Sequence, residues 1–584
     1  MRNAKIVCTI GPASESREQL RALIEAGMDV VRMNASHGTP EERADLIDRV
    51  REVSGELSAP IPVVHDIAGP EVRTAPIDEP IHVDAGSTVR FVASNDATSD
   101  EIGLSMSISA VEPGDRVLLD DGRIETTVES VADDVVVAHV EDGGELGGRK
   151  GVNVPGVDLD LPTITDQDRR ELEVAVEKDV DFVAASFVRD GEDVYEIGKH
   201  IDDLGGDVPI IAKIERSGAV ENLDSIIDEA YGIMVARGDL GVECPMEEVP
   251  LIQKRIIKQC HAEGVPVITA TEMLDSMVHA RRPTRAEASD VANAVLDGTD
   301  AVMLSGETAI GDHPARVVET MDRIIRDVEG SEEYAESREQ RVPAAGETST
   351  DALARSARYL ARDVDASAIV AASESGYTAL KAAKYRPDMP VIAATPSERV
   401  RRQLALSWGI QPRYVPYTNG GADAVIQTAV QSALDAGVAE AGETVVVLSG
   451  MMTELEGLDT ANMLKVHVAA ETLASGRSVV EGLVSGPLVR VGDGDLSAVP
   501  EGAILAVPDE FDGEFDGDVS KLGGIIDGHQ GVTGYAAIVA REIDVPMISD
   551  ADLPDVGDGT VVTLDAERGV VYEDTVGDRA DATE

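Results

Sequence analysis

The chain has 584 residues and a formal net charge of −60, because 110 Asp and Glu residues face only 50 Lys and Arg residues. A surface this anionic repels other polyanions, which argues against a nucleic acid or an anionic membrane as a partner. Hydrophobic residues make up 43% of the sequence, enough for packed cores, which argues against a disordered acidic chain.

The basic residues are unevenly divided, with 11 Lys and 39 Arg. A chain poor in Lys and aromatic residues and rich in Asp and Glu is typical of proteins from a high-salt cytoplasm. There the screening length falls to about 3 Å near 1 M salt, so that the protein's self-repulsion is damped. The alternative interpretation is an ordinary acidic protein.

The sequence carries no signal for a membrane or for secretion. No apolar run approaches the length of a spanning helix, and the first residues enter a strand-like run without a signal-peptide pattern. Cys8, Cys244 and Cys260 lack metal-ligand spacing, so we expect reduced, buried thiols. These features predict a cytoplasmic protein.

The first 330 residues repeat one pattern, in which a short apolar run ends in polar or glycine residues and a helical stretch usually follows. The eight runs are Ala4–Ile10, Val30–Asn34, Pro62–Ile67, Asp181–Phe187, Pro209–Glu215, Gly232–Gly238, Pro266–Thr271 and Asp300–Gly306. Apolar strands that alternate with helices predict a parallel sheet buried on both faces. Eight of them predict a closed (β/α)8 barrel, whose functional residues lie where the strands end. Helices are expected at Arg17–Ala26 and Glu248–Glu263, each ending before a glycine.

The connection between the third and fourth strands, from about residue 71 to 180, is more than a hundred residues long. Short alternating runs there, such as Ile81–Val83, Thr88–Ala93 and Arg116–Leu119, are separated by Pro-Gly and Asp-Gly turns. An unstructured loop of that length is uncommon in a compact domain. We therefore expect a small β-domain inserted over the barrel mouth, with the glycine-rich residues 143–151 as its flexible return.

The chain changes character after the eighth strand. The polar, acidic stretch from Arg326 to Asp351 is expected to be a linker. A β-rich region begins near Gly476 and ends in an acidic tail that is expected to be disordered. Between them lies a second α/β unit, with strands expected at Ala368–Ser373, Pro390–Pro396, Thr444–Ser449 and Leu464–Ala469.

Four domains are therefore expected in an α/β architecture. They are a barrel at 1–70 and 157–345, an inserted β lid at 71–156, an α/β domain at 346–475 and a last domain at 476–584.

Polar and charged residues follow six of the predicted barrel strands at the point where each strand ends. They are Arg32, Asn34, Ser36 and His37; Asp66 and Gly69–Arg73; Lys213 and Glu215; Arg237, Gly238 and Asp239; Thr271; and Ser305–Glu307. Any single one could be a solvated loop residue or part of a rim ion pair. A chemically coherent set from six strands favours an active site on this rim.

The chemistry of these residues points to phosphoryl transfer. Glu215 and Asp239 follow adjacent strands and suit a hard divalent cation that keeps several waters and shares substrate oxygens, as Mg²⁺ does. Lys213 and Arg32 supply positive charge for a phosphoryl group, whose transfer depends on positioning and electrostatics. Gly238 opens a turn whose N–H groups could hold a small carboxylate.

Seven long motifs carry a family resemblance. They are Thr9-Ile-Gly-Pro-Ala-Ser14, Arg32-Met-Asn-Ala-Ser-His-Gly38, Gly69-Pro-Glu-Val-Arg73, Lys150-Gly-Val-Asn-Val-Pro-Gly156, Met234-Val-Ala-Arg-Gly-Asp-Leu-Gly241, Arg282-Pro-Thr-Arg-Ala-Glu287 and Met303-Leu-Ser-Gly-Glu-Thr308. Over residues 1 to about 475 the chain resembles the pyruvate kinases. The resemblance implies a (β/α)8 barrel, a β-domain that closes over the cleft and a C-terminal α/β effector or interface domain. It also implies the last step of glycolysis, transfer of phosphate from phosphoenolpyruvate to ADP to give pyruvate and ATP, in a homotetramer that uses Mg²⁺ or Mn²⁺ and K⁺.

The resemblance also implies roles for single residues. Glu215 and Asp239 would bind Mg²⁺, and Lys213 would stabilise the transferring phosphoryl group and the enolate. Arg32 would bind phosphate. Thr271 would lie on the face where the enolate carbon is protonated, and the proton donor stays open. The N–H groups of Asp239 and the preceding glycine would hold the substrate carboxylate.

Asn34, Ser36, Asp66 and the carbonyl of Ile67 resemble the family's monovalent-cation site, normally K⁺. The family usually reads Asp-Thr-Lys-Gly-Pro-Glu where this chain reads Asp66-Ile-Ala-Gly-Pro-Glu71. The Ile67 carbonyl can still coordinate K⁺, but the threonine hydroxyl is missing. Glu71 keeps the acidic residue typical of K⁺-dependent members.

The nucleotide would bind at the barrel mouth and lid, because the sequence has no Walker A motif. Lys150, at the edge of the lid, would reach the nucleotide phosphates, with Arg73, His37 and Asn34 nearby. Glu272 replaces the family's usual Gln and adds a charge near the site.

A hydroxyl-rich turn at Ser373–Thr378 matches the place where sugar-phosphate effectors bind in the family. Glu374 and the lack of basic residues on this turn weaken that interpretation. The alternative is an ordinary helix start, and an effector, whether a sugar phosphate or a nucleotide, stays open.

The region 523–546 resembles the swivelling phosphohistidine domain of phosphoenolpyruvate-utilising enzymes, so the domain at 476–584 is expected to have that fold. Tyr535 stands where that domain carries its histidine in Thr-Ser-His-Ala-Ala. Tyrosine does not readily replace an imidazole nucleophile, so a structural or regulatory role is expected, with His529 a weak substitute. Asp512–Gly517 resembles half a calcium loop, but Gly523 stands where the loop needs Glu, which favours a surface turn.

Two other functions are consistent with parts of the sequence. A lyase on a related phosphoenolpyruvate barrel would not need Lys150 or a lid. A regulatory pseudoenzyme is suggested by the missing histidine and by the altered Ile67–Ala68. The intact Lys213, Glu215 and Asp239 argue against it.

Both expected substrates are polyanions, which a surface of charge −60 repels. The sequence therefore predicts a local basic island of Arg32, Arg73, Lys150 and Lys213, supported by Mg²⁺ and K⁺.

Overall fold

The computed structural model describes residues 2–416, 421–440, 442–449, 461–470, 472–490, 492, 494–554, 556–573 and 575–576. The chain divides into two compact units. The first comprises residues 1–347, 375–386 and 397–412, and the second comprises residues 348–374, 387–396 and 413–584. The acidic tail at residues 577–584, expected to be disordered, lies outside the described residues.

The strands of the first unit are numbered along the chain. They are β1 (Lys5–Thr9), β2 (Val30–Asn34), β3 (Val63–Ile67), β4 (Val72–Arg73), β5 (Ile81–Val83), β6 (Thr88–Ala93), β7 (Glu101–Leu104), β8 (Arg116–Leu119), β9 (Ile124–Ala132), β10 (Val135–Asp142), β11 (Gly144–Leu146), β12 (Gly151–Asn153), β13 (Phe182–Ala185), β14 (Ile210–Ile214), β15 (Gly232–Ala236), β16 (Val267–Ala270) and β17 (Ala301–Leu304).

Eight of these strands form a closed parallel barrel in the order β1, β17, β16, β15, β14, β13, β3, β2. Each lies inside one of the eight predicted runs, so the predicted barrel is confirmed. The strands are apolar on both faces because alternate residues fill the barrel interior and pack against the outer helices. The barrel therefore gives its strand ends fixed positions at one rim.

The helices are numbered along the whole chain. They are α1 (Arg17–Ala26), α2 (Pro40–Glu56), α3 (Asp166–Glu177), α4 (Gly191–Asp203), α5 (Ser217–Glu221), α6 (Leu223–Glu229), α7 (Arg237–Glu243), α8 (Val249–Glu263), α9 (Arg285–Asp297), α10 (Gly306–Ala309), α11 (Pro314–Glu329), α12 (Glu332–Gln340), α13 (Ser349–Asp363), α14 (Tyr377–Lys384), α15 (Glu398–Leu404), α16 (Gly421–Asp435) and α17 (Tyr535–Ile543), with 3-10 turns at Asp275–Val278 and Val519–Lys521. Helices α1 and α8 end before Gly27 and Gly264, which adopt the left-handed conformation.

The inserted segment forms a β-domain, as predicted. Its seven-stranded sheet has the order β4, β12, β8, β9, β10, β6, β7 and encloses its own apolar core. The glycine-rich return is closely packed where the sequence suggested flexibility. A Cβ at Gly148 would lie 2.2 Å from the backbone nitrogen of Ile77, so this glycine is required by a close approach of two backbones.

The predicted linker after the barrel is wrong for residues 332–340, which form α12. This helix is polar, but its Tyr334 is buried, and the hydroxyl of Tyr334 accepts a hydrogen bond from Trp408 Nε1 at 3.0 Å. One buried aromatic residue anchors a helix whose composition gives no amphipathic signal.

The strands of the second unit continue the numbering, with β20 running from the first unit into the second. They are β18 (Ala368–Ala372), β19 (Val391–Thr395), β20 (Ile410–Tyr414), β21 (Thr444–Ser449), β22 (Met463–Val468), β23 (Thr472–Ser475), β24 (Arg477–Val480), β25 (Leu483–Arg490), β26 (Ala503–Val507), β27 (Leu522–Asp527), β28 (Met547–Ser549), β29 (Val561–Asp565) and β30 (Val570–Glu573).

Two sheets organise this unit. Strand β18 pairs in parallel with β19 and β21, and β21 pairs antiparallel with β22, so the four predicted strands are confirmed. The last region forms an eight-stranded sheet in the order β23, β30, β29, β25, β26, β27, β28, β24. Strand β20 was not predicted, because Gln411, Pro412 and Arg413 interrupt its apolar pattern.

Two further features of the fold are the burial of the cysteines and the character of the helices. Cys8 and Cys260 are buried free thiols as expected, and Cys244 is only half-buried. Among the helices of the described residues, none combines the length and the apolar character that crossing a membrane requires.

His261 provides a test of the packing around α8. Its Nε2 lies 2.6 Å from the carbonyl oxygen of Lys384. Burial, together with the positive charge of Arg386, lowers the pKa of His261 to about 3. Unfolding exposes an imidazole with a pKa of about 6.5, so the unfolded chain binds the additional proton. The free energy of unfolding should therefore fall below pH 6.5, by up to about 1.4 kcal/mol for each pH unit from this group.

We predict that the difference in melting temperature between the wild type and His261→Gln decreases as the pH is lowered from 7 to 5. Glutamine can still donate a hydrogen bond but does not titrate. His279→Gln is the matched control, because the imidazole of His279 is exposed. A difference that is constant across this pH range would show that His261 does not couple protonation to folding.

Candidate active site

Four polar side chains at the ends of four adjacent barrel strands point in the same direction as the side chains that fill the barrel interior. Residues of β2, β3, β13 and β14 that fill the barrel interior include Val30, Val64, Ala184 and Ile211. Successive side chains of a strand alternate between faces, so residues two positions later point in the same direction. Those residues are Arg32, Asp66, Ser186 and Lys213. The barrel geometry thus brings them to its mouth.

Lys213 is the centre of this group. Its Nζ lies 2.7 Å from Ser186 Oγ, 2.8 Å from Glu215 Oε1 and 3.4 Å from Asp66 Oδ1. Only 11% of its side chain is exposed. Burial disfavours the ammonium ion, but the carboxylates of Asp66 and Glu215 outweigh that effect and raise the pKa of Lys213. Lys213 is therefore a permanent cation at neutral pH.

Arg32 and Asp66 form a buried ion pair beside Lys213. Asp66 Oδ2 accepts hydrogen bonds from Arg32 Nε at 2.6 Å and Nη2 at 2.5 Å, and Arg32 Nη1 donates to Thr9 Oγ1 at 3.0 Å. Burial opposes ionisation of Asp66, but Arg32 and Lys213 lower its pKa overall. One ionised carboxylate therefore holds two cations in place.

Ser186 is a member of the site that our sequence analysis missed. Its Oγ accepts from Lys213 and donates to the Ile67 carbonyl oxygen at 2.8 Å. The rim set contained no residue from the fourth strand, whose predicted run Asp181–Phe187 includes Ser186. The signal was nevertheless present, since Ser186 directly follows β13 at the same inward position as Lys213 on β14.

Glu215 and Asp239 form the predicted carboxylate pair. The backbone N–H of Phe187 donates to Glu215 Oε2 at 2.6 Å, so that both oxygens of Glu215 are engaged. Burial, followed by repulsion from Glu215, raises the pKa of Asp239 to about 7. Ionising both carboxylates is therefore costly unless positive charge is added between them.

The donor set near this pair suits a cation that completes its coordination elsewhere. Within the described residues, no three His, Cys, Asp or Glu side chains lie grouped to hold a metal ion. Two carboxylates can still hold Mg²⁺, which keeps several waters and shares substrate oxygens. The repulsion between Glu215 and Asp239 is the feature that fits such a cation.

Gly238 and Thr271 lie against each other at the ends of β15 and β16. A Cβ at position 238 would lie 2.7 Å from Thr271 Cγ2, so only glycine fits there. Thr271 and Glu272 both have left-handed backbones, with φ of 76° and 54°. That conformation is an outlier for a β-branched residue.

Asn34, at the end of β2, and the residues that follow it as predicted ligands are more exposed than Arg32. Asn34 is half-buried, and its Oδ1 accepts the backbone N–H of Ser36 at 3.0 Å. The side chains of Ser36 and His37 are exposed. These residues lie on the rim as predicted, but their contacts are local.

Two basic side chains of the inserted segment, those of Lys150 and Arg73, form ion pairs with nearby carboxylates. Lys150 Nζ lies 2.7 Å from Asp120 Oδ1, and Arg73 Nη2 lies 2.5 Å from Glu71 Oε2. Both basic side chains are 43% exposed. Burial raises the pKa of Glu71, although Arg73 opposes the shift.

The predicted basic island is therefore wrong as a region of net positive charge. Arg32 and Lys213 each contact a buried carboxylate, and Arg73 and Lys150 contact Glu71 and Asp120. The sequence analysis named Asp66, Glu71 and Glu215 as rim residues but did not predict that they pair with these cations, and it did not identify Asp120.

The two C-terminal candidates lie in ordinary local structure. At the hydroxyl-rich turn, Ser375 Oγ accepts the N–H of Tyr377 at 3.3 Å, at the start of α14. Tyr535 is the first residue of α17 and packs on Phe515, with ring centroids 5.3 Å apart. His529 Nδ1 lies 2.8 Å from Asp527 Oδ1 within one turn.

Comparison with family models identifies three regions of the chain. Residues 1–318 match the pyruvate kinase barrel domain, and residues 351–467 match the pyruvate kinase alpha/beta domain. Residues 499–569 match the mobile domain of PEP-utilising enzymes. The last match agrees with the resemblance of region 523–546.

Relatives of known identity cover almost the whole chain. The pyruvate kinases of Bacillus licheniformis and Staphylococcus aureus are each 40% identical to it, over 98% of this chain and 99% of theirs. A crystal structure of a pyruvate kinase from Cryptosporidium parvum superposes with a TM-score of 0.74 at 36% identity, over 80% of this chain and 96% of that one. The chain thus belongs to the pyruvate kinase family and carries a C-terminal PEP-utilising domain.

Proposed function

We propose that this protein transfers the phosphoryl group of phosphoenolpyruvate to ADP, giving pyruvate and ATP, in a cytoplasm of high salt. The observation that carries the proposal is the buried cluster at the barrel mouth. Two cations, Lys213 and Arg32, are paired with carboxylates there, beside the acidic pair of Glu215 and Asp239. A fixed set of charges in a desolvated site is what phosphoryl transfer requires from a protein.

Lys213 acts electrostatically in this proposal. Because its pKa is raised, it keeps its proton while charge develops on the phosphoryl oxygens and on the enolate. Arg32 binds the phosphate group with the N–H groups that Asp66 does not occupy. Neither side chain has to reorganise during the reaction, since Asp66 and Ser186 already fix them.

Glu215 and Asp239 would hold Mg²⁺ or Mn²⁺. When bound, the divalent cation supplies the positive charge that phosphate oxygens need at this rim. The mutual repulsion of the two carboxylates supports this assignment, because a cation between them favours the ionised form of Asp239.

Asn34, Ser36, Asp66 and the Ile67 carbonyl would hold K⁺. All four supply oxygen ligands, and the lowered pKa of Asp66 keeps its carboxylate ionised. The Ile67 carbonyl oxygen accepts a hydrogen bond from Ser186 Oγ at 2.8 Å, which links it to the cluster around Lys213. Ile67 has no side-chain oxygen, so we expect weaker K⁺ binding than a threonine there would give.

The substrate carboxylate would bind at the N–H groups of Gly238 and Asp239, and the enolate carbon would be protonated on the side of Thr271. The contact between Gly238 and Thr271 supports this arrangement, because it places the threonine side chain beside that turn.

Lys150 and Arg73 would bind the nucleotide phosphates, with His37 and Asn34 nearby. Their half-exposed ion pairs support the proposal. The side chains of Lys150 and Arg73 are each 43% exposed, so that their free N–H groups can also reach phosphate oxygens.

We extend the proposal to a homotetramer and to a sugar-phosphate or nucleotide effector, both of which the family resemblance implies. A structural or regulatory role for the last domain rests on Tyr535 in the place of the histidine, and the domain limits of 1–70 with 157–345, 71–156, 346–475 and 476–584 rest on the sequence pattern.

Adaptation to high salt rests on the charge of the chain. A net charge of −60 with 39 Arg and 11 Lys favours a solution in which repulsion is screened over about 3 Å.

The first test measures pyruvate formation from phosphoenolpyruvate and ADP with Mg²⁺ in molar KCl. We predict activity in the wild type and a fall in kcat of about 10²–10³-fold or more in Lys213→Met, because an oriented charge is removed from the reacting groups. Lys199→Met, at an exposed lysine on α4, is the matched control and should retain full activity. No pyruvate from the folded wild type would refute the proposed function. Near-normal turnover of Lys213→Met would remove that residue from its role.

A second test concerns Ser186. We predict that Ser186→Ala lowers kcat about tenfold with little change in KM for ADP, because hydrogen bonds to charged groups contribute about 1.5–3 kcal/mol. Ser225→Ala removes a comparable hydroxyl from α6 and should have no effect. Equal turnover in the two variants would show that Ser186 does not position Lys213.

A third test separates salt adaptation from the need for K⁺. We predict that activity is lost as NaCl is lowered from molar to millimolar concentration at a fixed, saturating KCl concentration, since self-repulsion is then unscreened. Circular dichroism of the same samples shows whether folding is lost with activity. Full activity at low salt would contradict the proposed adaptation.

A further inference from the structure

We infer that Arg237 is a positioning residue that holds the backbone of Thr271, and so fixes the side of the site where the enolate carbon is protonated. The inference rests on the proposed function, because it assigns a part of that reaction to a residue that does not touch the substrate. The sequence placed Arg237 among the rim cations, but its contacts give it another role.

The guanidinium of Arg237 binds the end of the neighbouring strand. Its Nε donates to the carbonyl oxygen of Ala270 at 3.1 Å, and its Nη2 donates to that of Thr271 at 2.8 Å. Nη2 also lies 2.8 Å from Met273 Sδ. Two consecutive carbonyl groups are therefore held by one rigid, planar cation.

Asp290 on α9 fixes the guanidinium in turn. Its two carboxylate oxygens accept from Arg237 Nη1 at 2.7 Å and Nη2 at 2.6 Å. Gln253 on α8 adds a longer contact of 3.4 Å to Nη1. Every nitrogen of the guanidinium is thus engaged within the protein, so Arg237 is not free to bind phosphate.

The segment that Arg237 holds is strained. Thr271 and Glu272 have φ of 76° and 54°, and a left-handed residue with a side chain costs roughly 1–2 kcal/mol. Two such residues in succession persist only when the surrounding structure holds them. Arg237 supplies that support on the carbonyl side.

Glu307 supplies the matching support on the amide side. Its Oε1 accepts the N–H of Leu274 at 3.0 Å, and its Oε2 accepts the N–H of Ser305 at 2.6 Å. The strained turn between residues 270 and 274 is therefore held by Arg237 at two of its carbonyl groups and by Glu307 at one of its N–H groups, that of Leu274.

This hold has a consequence for the site. Thr271 Cγ2 lies where a Cβ of residue 238 would be only 2.7 Å away. Relaxation of the turn would move the Thr271 side chain relative to the turn of Gly238 and Asp239. A displacement of 1 Å can cost about 10²-fold in rate. Proton transfer should therefore depend on Arg237 more strongly than phosphoryl transfer does, because Lys213 and Arg32 lie on other strands.

The test compares two reactions of Arg237→Gln in molar KCl with Mg²⁺. One is ATP formation from phosphoenolpyruvate and ADP. The other is exchange of the methyl protons of pyruvate with deuterated water in the presence of inorganic phosphate, followed by NMR. We expect the exchange rate to fall about 10–100-fold, and to fall at least several times more than ATP formation. The exchange rate of Arg237→Lys, which keeps the charge but not the planar fork, should lie between those of the wild type and Arg237→Gln.

The control is Arg189→Gln. Arg189 makes the same kind of two-point pair with Asp193, at 2.9 and 2.8 Å, on α4. It should leave the ratio of exchange to ATP formation unchanged. A general loss of folded protein lowers both reactions in proportion, so the ratio separates positioning from stability. Asp290→Asn, which keeps Arg237 but weakens its support, should shift the ratio in the same direction and serves if Arg237→Gln does not fold.

A wild-type ratio in Arg237→Gln, or in Asp290→Asn if the first variant does not fold, would overturn the inference while leaving the proposed function intact. An equal fall of the ratio in Arg189→Gln would overturn it as well. A wild type that forms no ATP and no pyruvate would refute the proposed function itself.

Discussion

The site depends on one constraint, which is that a lysine buried at the barrel mouth must stay charged. Removing an ammonium ion from water costs several kcal/mol, and only nearby carboxylates can offset that cost. Asp66 and Glu215 do so for Lys213 from positions on two different strands. The closed barrel is what makes this arrangement available, because β3, β13 and β14 are neighbours and end at the same rim. Ser186 then satisfies a further N–H of the lysine.

The cations around the site fall into two groups with different tasks. Arg32 and Lys213 are buried and fixed by ionised partners, so they present the same charge before, during and after a reaction. Arg73 and Lys150 are half exposed, although their acidic partners Glu71 and Asp120 are more enclosed. The first group suits a substrate whose position must be exact within tenths of an ångström. The second suits a substrate that enters and leaves as its partners exchange.

The sequence was sufficient for the barrel and for most of the rim, since both follow from local pattern. An apolar run such as Val30–Asn34 identifies a strand, and a charged residue at its end identifies a candidate. The sequence was insufficient where identity depends on contacts between distant segments. The polar stretch that contains Tyr334 forms a helix, which is anchored by the hydrogen bond from Trp408 to the Tyr334 hydroxyl. The role of Ser186 depends on its contact with Lys213 from the neighbouring strand, although its inward position could have been inferred from Ala184.

Arg237 is another residue whose role depends on contacts with a distant segment. Its charge and its place after β15 made it a rim cation, yet its role is set by the backbone of another strand. A left-handed Thr271 cannot be read from a sequence in which threonine usually avoids that conformation. The strained backbone at Thr271 thus explains the position of the Arg237 guanidinium. This relation is visible only in the folded chain, because the two residues lie on different strand ends.

The net charge of −60 acquires a more specific meaning from these pairs. Both proposed substrates are polyanions, and the four cations that would receive them are already matched by four carboxylates. Asp239 adds a fifth acid, whose pKa is raised by burial and then by repulsion from Glu215. The protein side of the site is therefore not attractive to a polyanion by its own charge. Under the proposed function, attraction would come from metal ions held at this rim and from salt that screens the rest of the surface. The proposed needs for cations and for salt would thus follow from the same shortage of positive charge, one inside the site and one around it.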